Sequence, residues 1–538
     1  MSVRIAPGDA ATASSGEPTR SDRRLALLLA MAMFVLVVDT SIMNVSISAV
    51  VHDLGVSVSG LQSAIALEAL VSAAFILIGS KVGDIIGRKR AFVIGLLAYA
   101  VGALAMTLTQ GLVVIVVFWA VIGGLGASLL LPAMQSLIHG NFEGVAQKKA
   151  YALVGAAAAI AAAVGPLLGG FITTYMSWRI AFLLEDVVIV IVLSGVKLVK
   201  DVPFTGDKSI DLIGALLSVV GMGGLVLSIL VWQEGGEAVG ALLTLGIAGM
   251  ALFAWWIRRC KQRGRAALID ADLFKAKLFR YGITSEMLQQ ISLGALMVAL
   301  PIFLQMVLEY NAMQAGLTIA PLSLSMFAVA LVAGKRSGKR RPAVVIQAGF
   351  ALVSLGVLSL IPLVPRVHSG WALVISLLVI GSGLGLLVSQ LNNYTLSPIS
   401  NKRVSEAAGV NSAGGSFGLS FGLAFGGAIM LATLSFSFTH MSDNSSVLTG
   451  SEKQQVSTAL EHDAEVMSNT ALVEQLAGQP KDVQEEIVHI NTEARPRGLQ
   501  AALLVPLLAS LLGLGGSFRM RRLPDPVAAE GAEAAVLG

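Results

Sequence analysis

A glycine-rich, basic stretch near the beginning of the chain reads Gly79-Ser80-Lys81-Val82-Gly83-Asp84-Ile85-Ile86-Gly87-Arg88-Lys89-Arg90. Apolar segments flank it at residues 58–79 and 91–109, and each is long enough to cross a bilayer as a helix. Glycines permit a tight turn between closely packed helices, and an aspartate can cap a helix N-terminus. The spacing of Gly79, Asp84, Gly87 and Arg88 therefore predicts a conformational-switch loop. The alternative is a loop whose cations only fix the topology.

The composition of the whole chain indicates a membrane protein. Of 538 residues, 55% are hydrophobic and 13% are charged, whereas roughly 25% are charged in a soluble domain. Apolar runs recur along nearly the whole length, and the alternating strands of a transmembrane barrel are absent. We predict an all-α membrane protein with fourteen transmembrane helices, at residues 25–50, 58–79, 91–109, 113–138, 148–172, 177–198, 210–232, 237–257, 279–308, 313–334, 342–364, 370–398, 405–437 and 498–516.

Cationic residues accumulate in every second connection between these helices, as in the run Arg88-Lys89-Arg90 after the second helix. The alternate short connections hold almost no cations, Arg179 and Arg366 being the exceptions. Because positive residues are retained on the cytoplasmic side of a membrane, we predict that both termini lie in the cytoplasm. This orientation requires an even number of spans. We expect a multi-pass protein of the bacterial cytoplasmic membrane.

The sequence also lacks the features of several other classes of protein. The single cysteine, Cys260, excludes an internal disulfide, and the six histidines show no zinc-type spacing. An ATP-binding loop of the Gly-rich type is absent, so energy would come from a gradient. We expect no metal, no cofactor, no catalytic residue and no nucleic-acid partner. An intramembrane enzyme or a membrane sensor is kept as a remote alternative, although His139 and His368 lie at helix ends without catalytic partners.

One long polar connection, residues 438–496, carries ten acidic residues against Lys453, Lys481 and Arg495. The predicted topology places this connection outside the cell. Residues 456–476 and 483–490 show apolar residues at loose helical spacing. We predict a small external helical hairpin that forms a lid, and the alternative is a solvated spacer.

Several motifs resemble those of a known family. The basic loop resembles the signature loop of the major facilitator superfamily, and Asp39-Thr40-Ser41-Ile42-Met43-Asn44 resembles the first-helix signature of its fourteen-helix drug–proton antiporters. The fifth helix holds a stretch similar to the antiporter motif, and the sixth begins with a similar Trp178-Arg179 pair. The second half fits the same group at Leu300-Pro301-Ile302-Phe303-Leu304-Gln305, Ala315-Gly316 and Pro321. The resemblance covers residues 25–516.

The resemblance implies two six-helix bundles around a central cavity, with two extra helices inserted between them. The parts of the chain would then be a disordered cytoplasmic tail at 1–24, a first bundle at 25–198, an inserted helix pair with cytoplasmic loops at 199–278, a second bundle at 279–516 that includes the external loop 438–496, and a cytoplasmic tail at 517–538. Members of the group alternate between inward-open and outward-open states, and many exchange a proton for a lipophilic, often cationic drug.

From this resemblance we expect a multidrug efflux antiporter that supports antibiotic resistance, and not an enzyme. Its partners would be a small lipophilic substrate, the proton and the lipid bilayer, and we expect it to act as a monomer.

Ionisable residues inside membrane helices are costly and usually mark a transport pathway. Asp39 in the first helix and Glu68 in the second could share one titration near a single cavity, and the alternative is a carboxylate hydrogen-bonded to a neighbouring helix. The two acids of the sixth helix face the cavity or balance Arg179, and Glu286 in the ninth helix is interpreted as interfacial. The candidate proton or substrate residues are Asp39, Glu68, Glu185, Asp186, Asn392 and Asn393.

The chain departs from the family pattern in several places, among them the sixth helix, where Glu185 and Asp186 replace the usual asparagine and its neighbour. Ala120 stands in the fourth helix where family members place an arginine linked to proton coupling. Gly415-Ser416 replaces an Arg-Gln pair in the thirteenth helix, and Ala161 replaces a glycine in the fifth. These departures leave two alternatives to proton antiport, namely an uncoupled facilitator and an exporter of a lipid or secondary metabolite.

Small residues at helical spacing predict close helix packing in the fifth and thirteenth helices. The fifth helix contains Gly165, Pro166, Gly169 and Gly170, of which the proline can kink it. The thirteenth helix repeats glycine at every fourth position, at Gly414, Gly418, Gly422 and Gly426. Tight packing is the plain interpretation, and a sliding interface is the additional hypothesis.

Overall fold

Long helices make up most of the structure. The computed structural model describes residues 20–142, 144–201, 211–233, 236–265, 267–336, 340–367, 369–399, 403–449, 453, 472–473, 476 and 478–524. Within these residues the helices are α1 Arg20–Leu54, α2 Val58–Ile86, α3 Arg88–Leu108, α4 112–141, α5 Gly144–Tyr175, α6 Trp178–Ser194, α7 Leu212–Gln233, α8 Val239–Gln262, α9 277–307, α10 Ala312–Lys335, α11 Pro342–Leu363, α12 Val374–Leu396, α13 Val404–Asn444, α14 Lys481–Ala502 and α15 Leu504–Met520. Single-turn 3-10 helices lie at Val196–Leu198, Ala271–Lys275, Val364–Arg366 and Gly370–Leu373.

Two of these helices change their winding along their length. In α4 the segment Ile115–Gly123 is π-helical, and α9 ends in the π-helical segment Phe303–Val307. A π-helical turn holds more residues than an α-helical one, so it rotates the side chains that follow relative to a regular helix. Such segments are common at functional sites.

The predicted all-α fold with many membrane-crossing helices is confirmed. Among the described residues, 13 helical stretches are long and apolar enough to cross a membrane. The remaining predicted span, α6, has 17 residues, which is a length of about 26 Å at about 1.5 Å per residue. Capping residues mark several helix starts. Ser57 accepts a hydrogen bond from the amide of Gly60 at the start of α2, and Asn311 and Gln314 form a capping box at the start of α10.

The structure corrects the predicted bounds of the long polar connection. Residues 438–496 are not a loop throughout, because α13 continues to Asn444 and α14 begins at Lys481. Apolar residues of the two helix extensions, among them Phe438 and Ile487, share one buried cluster with Leu448. The predicted helical stretch 483–490 lies within α14. The other, 456–476, lies outside the described residues except for 472–473 and 476.

The last predicted span, 498–516, is likewise not one helix. It is divided at Leu503 into the end of α14 and the whole of α15. Proline lacks an amide hydrogen, so Pro506 cannot donate to the carbonyl four residues earlier. That missing hydrogen bond falls at Ala502, where α14 ends.

The helices pack in two sets with a pair between them. In the first set α1 packs on α5 and α6, α2 packs on α4, and α3 packs on α4 and α6. In the second set α9 packs on α13 and α15, and α12 packs on α10 and α11. Helices α7 and α8 pack on each other, and α7 also contacts α2 and α13. From this packing we infer the two bundles and the inserted pair that the resemblance implies.

The two bundles meet along the pairs α2–α13 and α5–α10. Within the described part of the chain, three hydrogen bonds cross between them: Gln305 Nε2 to the Val45 carbonyl (3.1 Å), Ser420 Oγ to the Ala66 carbonyl (2.7 Å), and the Met313 amide to Thr174 Oγ1 (3.0 Å). All three lie toward the end of the molecule that holds the α1–α2, α5–α6 and α9–α10 connections, which we call the distal end. The bundles are therefore joined at the distal end.

Candidate functional site

The centre of the candidate site is Asp39, in the middle of α1, which is 1% exposed. Its carboxyl group accepts hydrogen bonds from two aromatic side chains on neighbouring helices. Tyr99 of α3 donates its hydroxyl to Oδ2, and Trp119 Nε1 of α4 lies 3.0 Å from Oδ2 and 3.2 Å from Oδ1. A buried polar group needs such partners. The donors that hold this carboxyl are both neutral.

The winding of α4 places Trp119 beside Asp39. Trp119 lies inside the π-helical segment Ile115–Gly123 and is followed by Ala120, which is fully buried. Neither Trp119 nor Tyr99 was predicted from the sequence as a partner of Asp39. One signal was present for Tyr99, because it is the one ionisable residue in the stretch 91–108, and a buried tyrosine hydroxyl usually finds a hydrogen-bond partner.

Two further predicted acids interact electrostatically with Asp39. Glu68 on α2 and Glu185 on α6 both interact with its charge, and both also interact with Tyr99. Their side chains are buried, with 9% of Glu68 and 3% of Glu185 exposed. The first bundle thus brings together three of the six residues predicted as proton or substrate candidates.

Glu185 differs from Asp39 in its hydrogen bonding. Among the described residues, neither Oε1 nor Oε2 of Glu185 has a hydrogen-bond partner. The alternative that Glu185 or Asp186 balances Arg179 is wrong, because Arg179 forms an ion pair with Asp53 at the distal end. The same guanidinium donates to the Thr109 carbonyl at 2.9 Å. Its charge is therefore compensated away from the acids of α6.

Asp186 lies on a different face of α6 from Glu185. It is half-buried, and residues at helical spacing from it, Leu183 and Val190, are 44% and 63% exposed. It still interacts electrostatically with its neighbour Glu185. The structure does not place Asp186 among the residues that contact Asp39.

The candidates in the second bundle are separate from this cluster. Asn392 and Asn393 are half-buried on α12, a helix that packs on α9, α10 and α11 of the second bundle. Glu286 was interpreted from the sequence as interfacial, and this interpretation stays a prediction. It lies within α9 and packs opposite Gly415 of α13, where a built Cβ would lie 3.7 Å from Glu286 Cγ. Gln289, on the next turn of α9, is 1% exposed and was missed from the sequence.

The predicted switch loop forms a compact turn between α2 and α3. Arg88 forms an ion pair with Asp84, and both side chains are largely buried. Gly87 adopts φ +102°, a conformation that residues with a Cβ rarely tolerate. Gly79 lies against the Ser128 backbone of α4, and there is no room for a side chain between them. The glycines are therefore required by a turn and by a close helix contact.

A residue outside the motif, Asp201, completes this loop. Its Oδ1 accepts a hydrogen bond from the Lys89 amide at 3.0 Å, in the first turn of α3, and the Lys89 ammonium donates to the Val199 carbonyl at 2.7 Å. A carboxylate at a helix N-terminus is stabilised by the free amides there. The segment after α6 is thus tied to the switch loop, a contact that the spacing of the motif does not predict.

The glycines of α13 pack within one bundle. A Cβ built on Gly418 would lie 2.5 Å from the Met287 carbonyl oxygen of α9, and one on Gly426 would lie 3.0 Å from Ala295. Gly414 and Gly422 face the same helix, near Ile283 and Ile291. These glycines therefore lie against α9. The partner is a helix of the same bundle, so this glycine row is not an interface between bundles.

The motif of α5 contacts two different helices. Gly165 and Gly169 lie against Ser41 and Ile42 of α1, within the first bundle. Gly170 packs on the α10 backbone at Ala312 and Met313, and the Pro166 carbonyl faces Gly316 of α10. One face of this short stretch therefore holds the first bundle together, and the other forms the junction with the second bundle at the distal end.

Curated relatives of this chain are transport and resistance proteins. It is 26% identical over 465 residues to the "Probable actinorhodin transporter" of Streptomyces coelicolor, covering 84% of this chain and 79% of that protein. It is 27% identical over 411 residues to the "Multidrug resistance protein Stp" of Mycobacterium tuberculosis, covering 75% of each. It is 28% identical over 432 residues to the "Puromycin resistance protein pur8" of Streptomyces alboniger, covering 78% of this chain and 84% of that one.

Solved structures of transporters share the fold at low sequence identity. A bacterial homologue of the human lysosomal transporter Spinster superposes with a TM-score of 0.62 at 12% identity, covering 95% of this chain and 100% of that one. A D-xylose–proton symporter superposes with a TM-score of 0.54 at 13% identity, covering 85% of this chain and 98% of the other.

The model of one protein family matches most of the chain. The matched residues are 29–423, and the family is described as the Major Facilitator Superfamily. The match spans the switch loop, the acids of the first bundle and the α5 motif. Together with the fold and the relatives, it shows a multi-pass membrane transporter and not an enzyme. The chain belongs to the Major Facilitator Superfamily.

Proposed function

We propose that this protein exports lipophilic molecules, including cationic ones, by alternating access in exchange for protons. The observation that carries the proposal is the cluster of buried acids around Asp39. An ionisable group in a membrane helix is costly, so its presence there usually serves transport. The names of the curated relatives, which include multidrug and puromycin resistance proteins, support export of drug-like molecules.

The charge balance of the first bundle supports a cation or proton as the partner of these acids. Within the membrane-embedded stretches 25–51, 58–80, 91–108, 112–138, 152–174 and 180–196, the sequence holds four carboxyl groups and no lysine or arginine. A buried carboxylate needs compensation. In this bundle a bound proton or a cationic substrate compensates the negative charge. One carboxyl group cannot bind a proton and a cationic substrate at the same time. This mutual exclusion is what exchange requires.

The contacts between the bundles suggest how access alternates. The distal end is joined by three hydrogen bonds that involve backbone carbonyls or a backbone amide, and by the close contacts of Gly170 and Gly316. With both termini in the cytoplasm of a bacterial cell, the distal end faces outward. Substrate would then enter from the cytoplasmic side in this state and leave when the distal contacts open.

A second candidate function is uncoupled facilitated transport. It is favoured by one observation, which is that Ala120 stands where the resemblance places a coupling arginine. In the structure Trp119 supplies a neutral hydrogen-bond donor to Asp39 instead. A facilitator would equilibrate its substrate whether or not a pH gradient is present.

The experiment that tests the proposal uses vesicles reconstituted with the full chain and an acidic interior. Ethidium is a lipophilic cation with a permanent charge, and the membrane potential is clamped at zero. Under these conditions a pH gradient concentrates ethidium inside the vesicles only if a protein exchanges it for protons. We expect accumulation with the wild type, none with Asp39→Asn, and wild-type accumulation with the exposed-turn control Glu237→Gln. Equilibration without accumulation by the wild type would favour the facilitator instead.

A further inference from the structure

We propose that Glu185 is a second proton carrier, and that it passes protons between the distal end of the first bundle and Asp39. This inference rests on the proposed function, since it assigns a route to the same exchanged proton. Glu185 differs from the usual family pattern in the sixth helix.

The Glu185 side chain is buried in the first bundle. Only 3% of the residue is exposed, and among the described residues both of its oxygens lack a hydrogen-bond partner. A carboxylate buried without donors is strongly disfavoured, whereas a neutral carboxylic acid has a far smaller desolvation cost. The site therefore accommodates Glu185 with a proton bound, and that proton is not committed to a structural hydrogen bond.

Glu185 and Asp39 lie at different levels along the first bundle. The Asp53–Arg179 ion pair fixes α1 and α6 to a common level at the distal end. Glu185 lies six residues beyond Arg179, and Asp39 lies fourteen residues before Asp53. At about 1.5 Å per residue these separations are about 9 Å and about 21 Å along the helix axes. Glu185 thus lies between the distal end and Asp39.

The ionisable neighbours of Glu185 are acids and a tyrosine. Helix α6 packs on α1, α3 and α5. Glu185 interacts electrostatically with Asp39 of α1 and with Asp186 of its own helix. It also interacts electrostatically with Tyr99 of α3. Helix α5 has no ionisable residue in the stretch 152–174. These neighbours are acids or a tyrosine, so none of them supplies a cation that competes with the proton for Glu185.

The proton transfer leaves the total charge of Glu185 and Asp39 unchanged. Glu185 as a carboxylic acid gives its proton through intervening water to the Asp39 carboxylate, and becomes a carboxylate while Asp39 becomes neutral. Tyr99 and Trp119 donate to Asp39 and stabilise its charged form before the transfer. Glu185 lacks such donors, so it regains a proton from the distal side rather than remaining charged.

The test compares Glu185→Gln with Glu185→Asp and with the exposed control Glu237→Gln, in vesicles, with ethidium as the probe. Two rates are measured: accumulation driven by an acidic interior, and tracer exchange of ethidium at equal pH, which needs no net proton movement. We expect Glu185→Gln to slow the driven accumulation at least about tenfold, as for loss of a proton-transfer group, while tracer exchange stays within about twofold of the wild type. Glu185→Asp should recover part of the driven rate.

The outcomes separate this inference from the proposed function. If Asp39→Asn abolishes accumulation while Glu185→Gln accumulates ethidium like the wild type, the relay through Glu185 is wrong and the antiport proposal stands. An equal loss of both rates in Glu185→Gln would show a structural role and would also overturn the relay. If the wild type shows no gradient-driven accumulation, both proposals fail.

Discussion

The indole Nε1 of Trp119 lies 3.0 Å from Oδ2 of Asp39, across 80 residues of sequence. This contact places a neutral donor beside the acid, one residue before the position at which the resemblance expects an arginine. The donor can stabilise a carboxylate but carries no charge of its own. Asp39 is therefore free to bind a proton or a cation without displacing a fixed positive charge.

Replacing Trp119 with phenylalanine removes that donor and keeps an aromatic ring in the core. A hydrogen bond to a charged group contributes about 1.5–3 kcal/mol, which corresponds to about one pH unit or more. Because the lost bond stabilises the charged form, we expect the midpoint of the pH–transport profile to move to higher pH by about that amount. The control is Trp371→Phe, since Trp371 is 79% exposed. An unchanged midpoint would show that the Trp119 indole does not stabilise the charged form of Asp39.

The glycine row of α13 gives a prediction about stability. A Cβ at Gly418 would lie 2.5 Å from a backbone oxygen of α9, whereas one at Gly414 would lie 3.4 Å from the Cγ2 methyl of Ile283, which is an ordinary van der Waals contact. We expect Gly418→Ala to destabilise the protein by about 1–3 kcal/mol. Gly414→Ala should leave its thermal unfolding temperature in detergent nearly unchanged. Equal unfolding temperatures for the two variants would show that helices α9 and α13 are not packed this closely.

The switch loop gives a prediction about backbone strain. Gly87 has φ +102°, and a Cβ there would lie 2.7 Å from Asp201 Oδ2. Gly87→Ala forces a disfavoured conformation, which costs of order 1–3 kcal/mol, and displaces the carboxylate that caps α3. We expect lower thermal stability and slower transport. Gly55→Ala is the matched control, because Gly55 also has a positive φ but its Cβ would meet open space. If Gly55→Ala is equally damaging, strain alone explains the result and Asp201 has no part in it.

The ion pair at the distal end is expected to stabilise the first bundle modestly. Its side chains are 23% exposed for Arg179 and 44% for Asp53, so solvent screens the pair and about 1 kcal/mol or less is expected from the charges. We expect Arg179→Gln to lower the unfolding temperature slightly and to leave gradient-driven ethidium accumulation in place. A complete loss of accumulation by a stable Arg179→Gln variant would mean that α6 depends on this pair for function.

The sequence predicted the parts of the site that hydropathy reveals. A carboxyl group inside an apolar run is visible without a structure, so Asp39, Glu68 and Glu185 were found as candidates. Their partners were not. Tyr99 is 60 residues from Asp39 in the chain, and its pairing depends on how three helices pack. The π-helical winding that positions Trp119 has no recognised signal in the sequence.

The same limit explains the errors in the fold. Spans were located by runs of apolar residues, so the helix ends that project beyond them were missed. The extensions of α13 and α14 are polar on their outer faces and bury only one row of apolar residues against each other. Asp201 and Asp53 were missed for a related reason, since each pairs with residues more than 100 positions away.

The most direct test of proton exchange at Asp39 measures protons and substrate in the same solution. Purified protein is placed in weakly buffered detergent solution with a pH-sensitive dye, and ethidium is added. We expect that the wild type releases protons as ethidium binds and that Asp39→Asn binds ethidium with no release. The amide introduced by Asp39→Asn retains an oxygen for the Trp119 N–H, so the variant should fold. Proton release of equal size from the wild type and from Asp39→Asn would contradict proton exchange at this carboxyl.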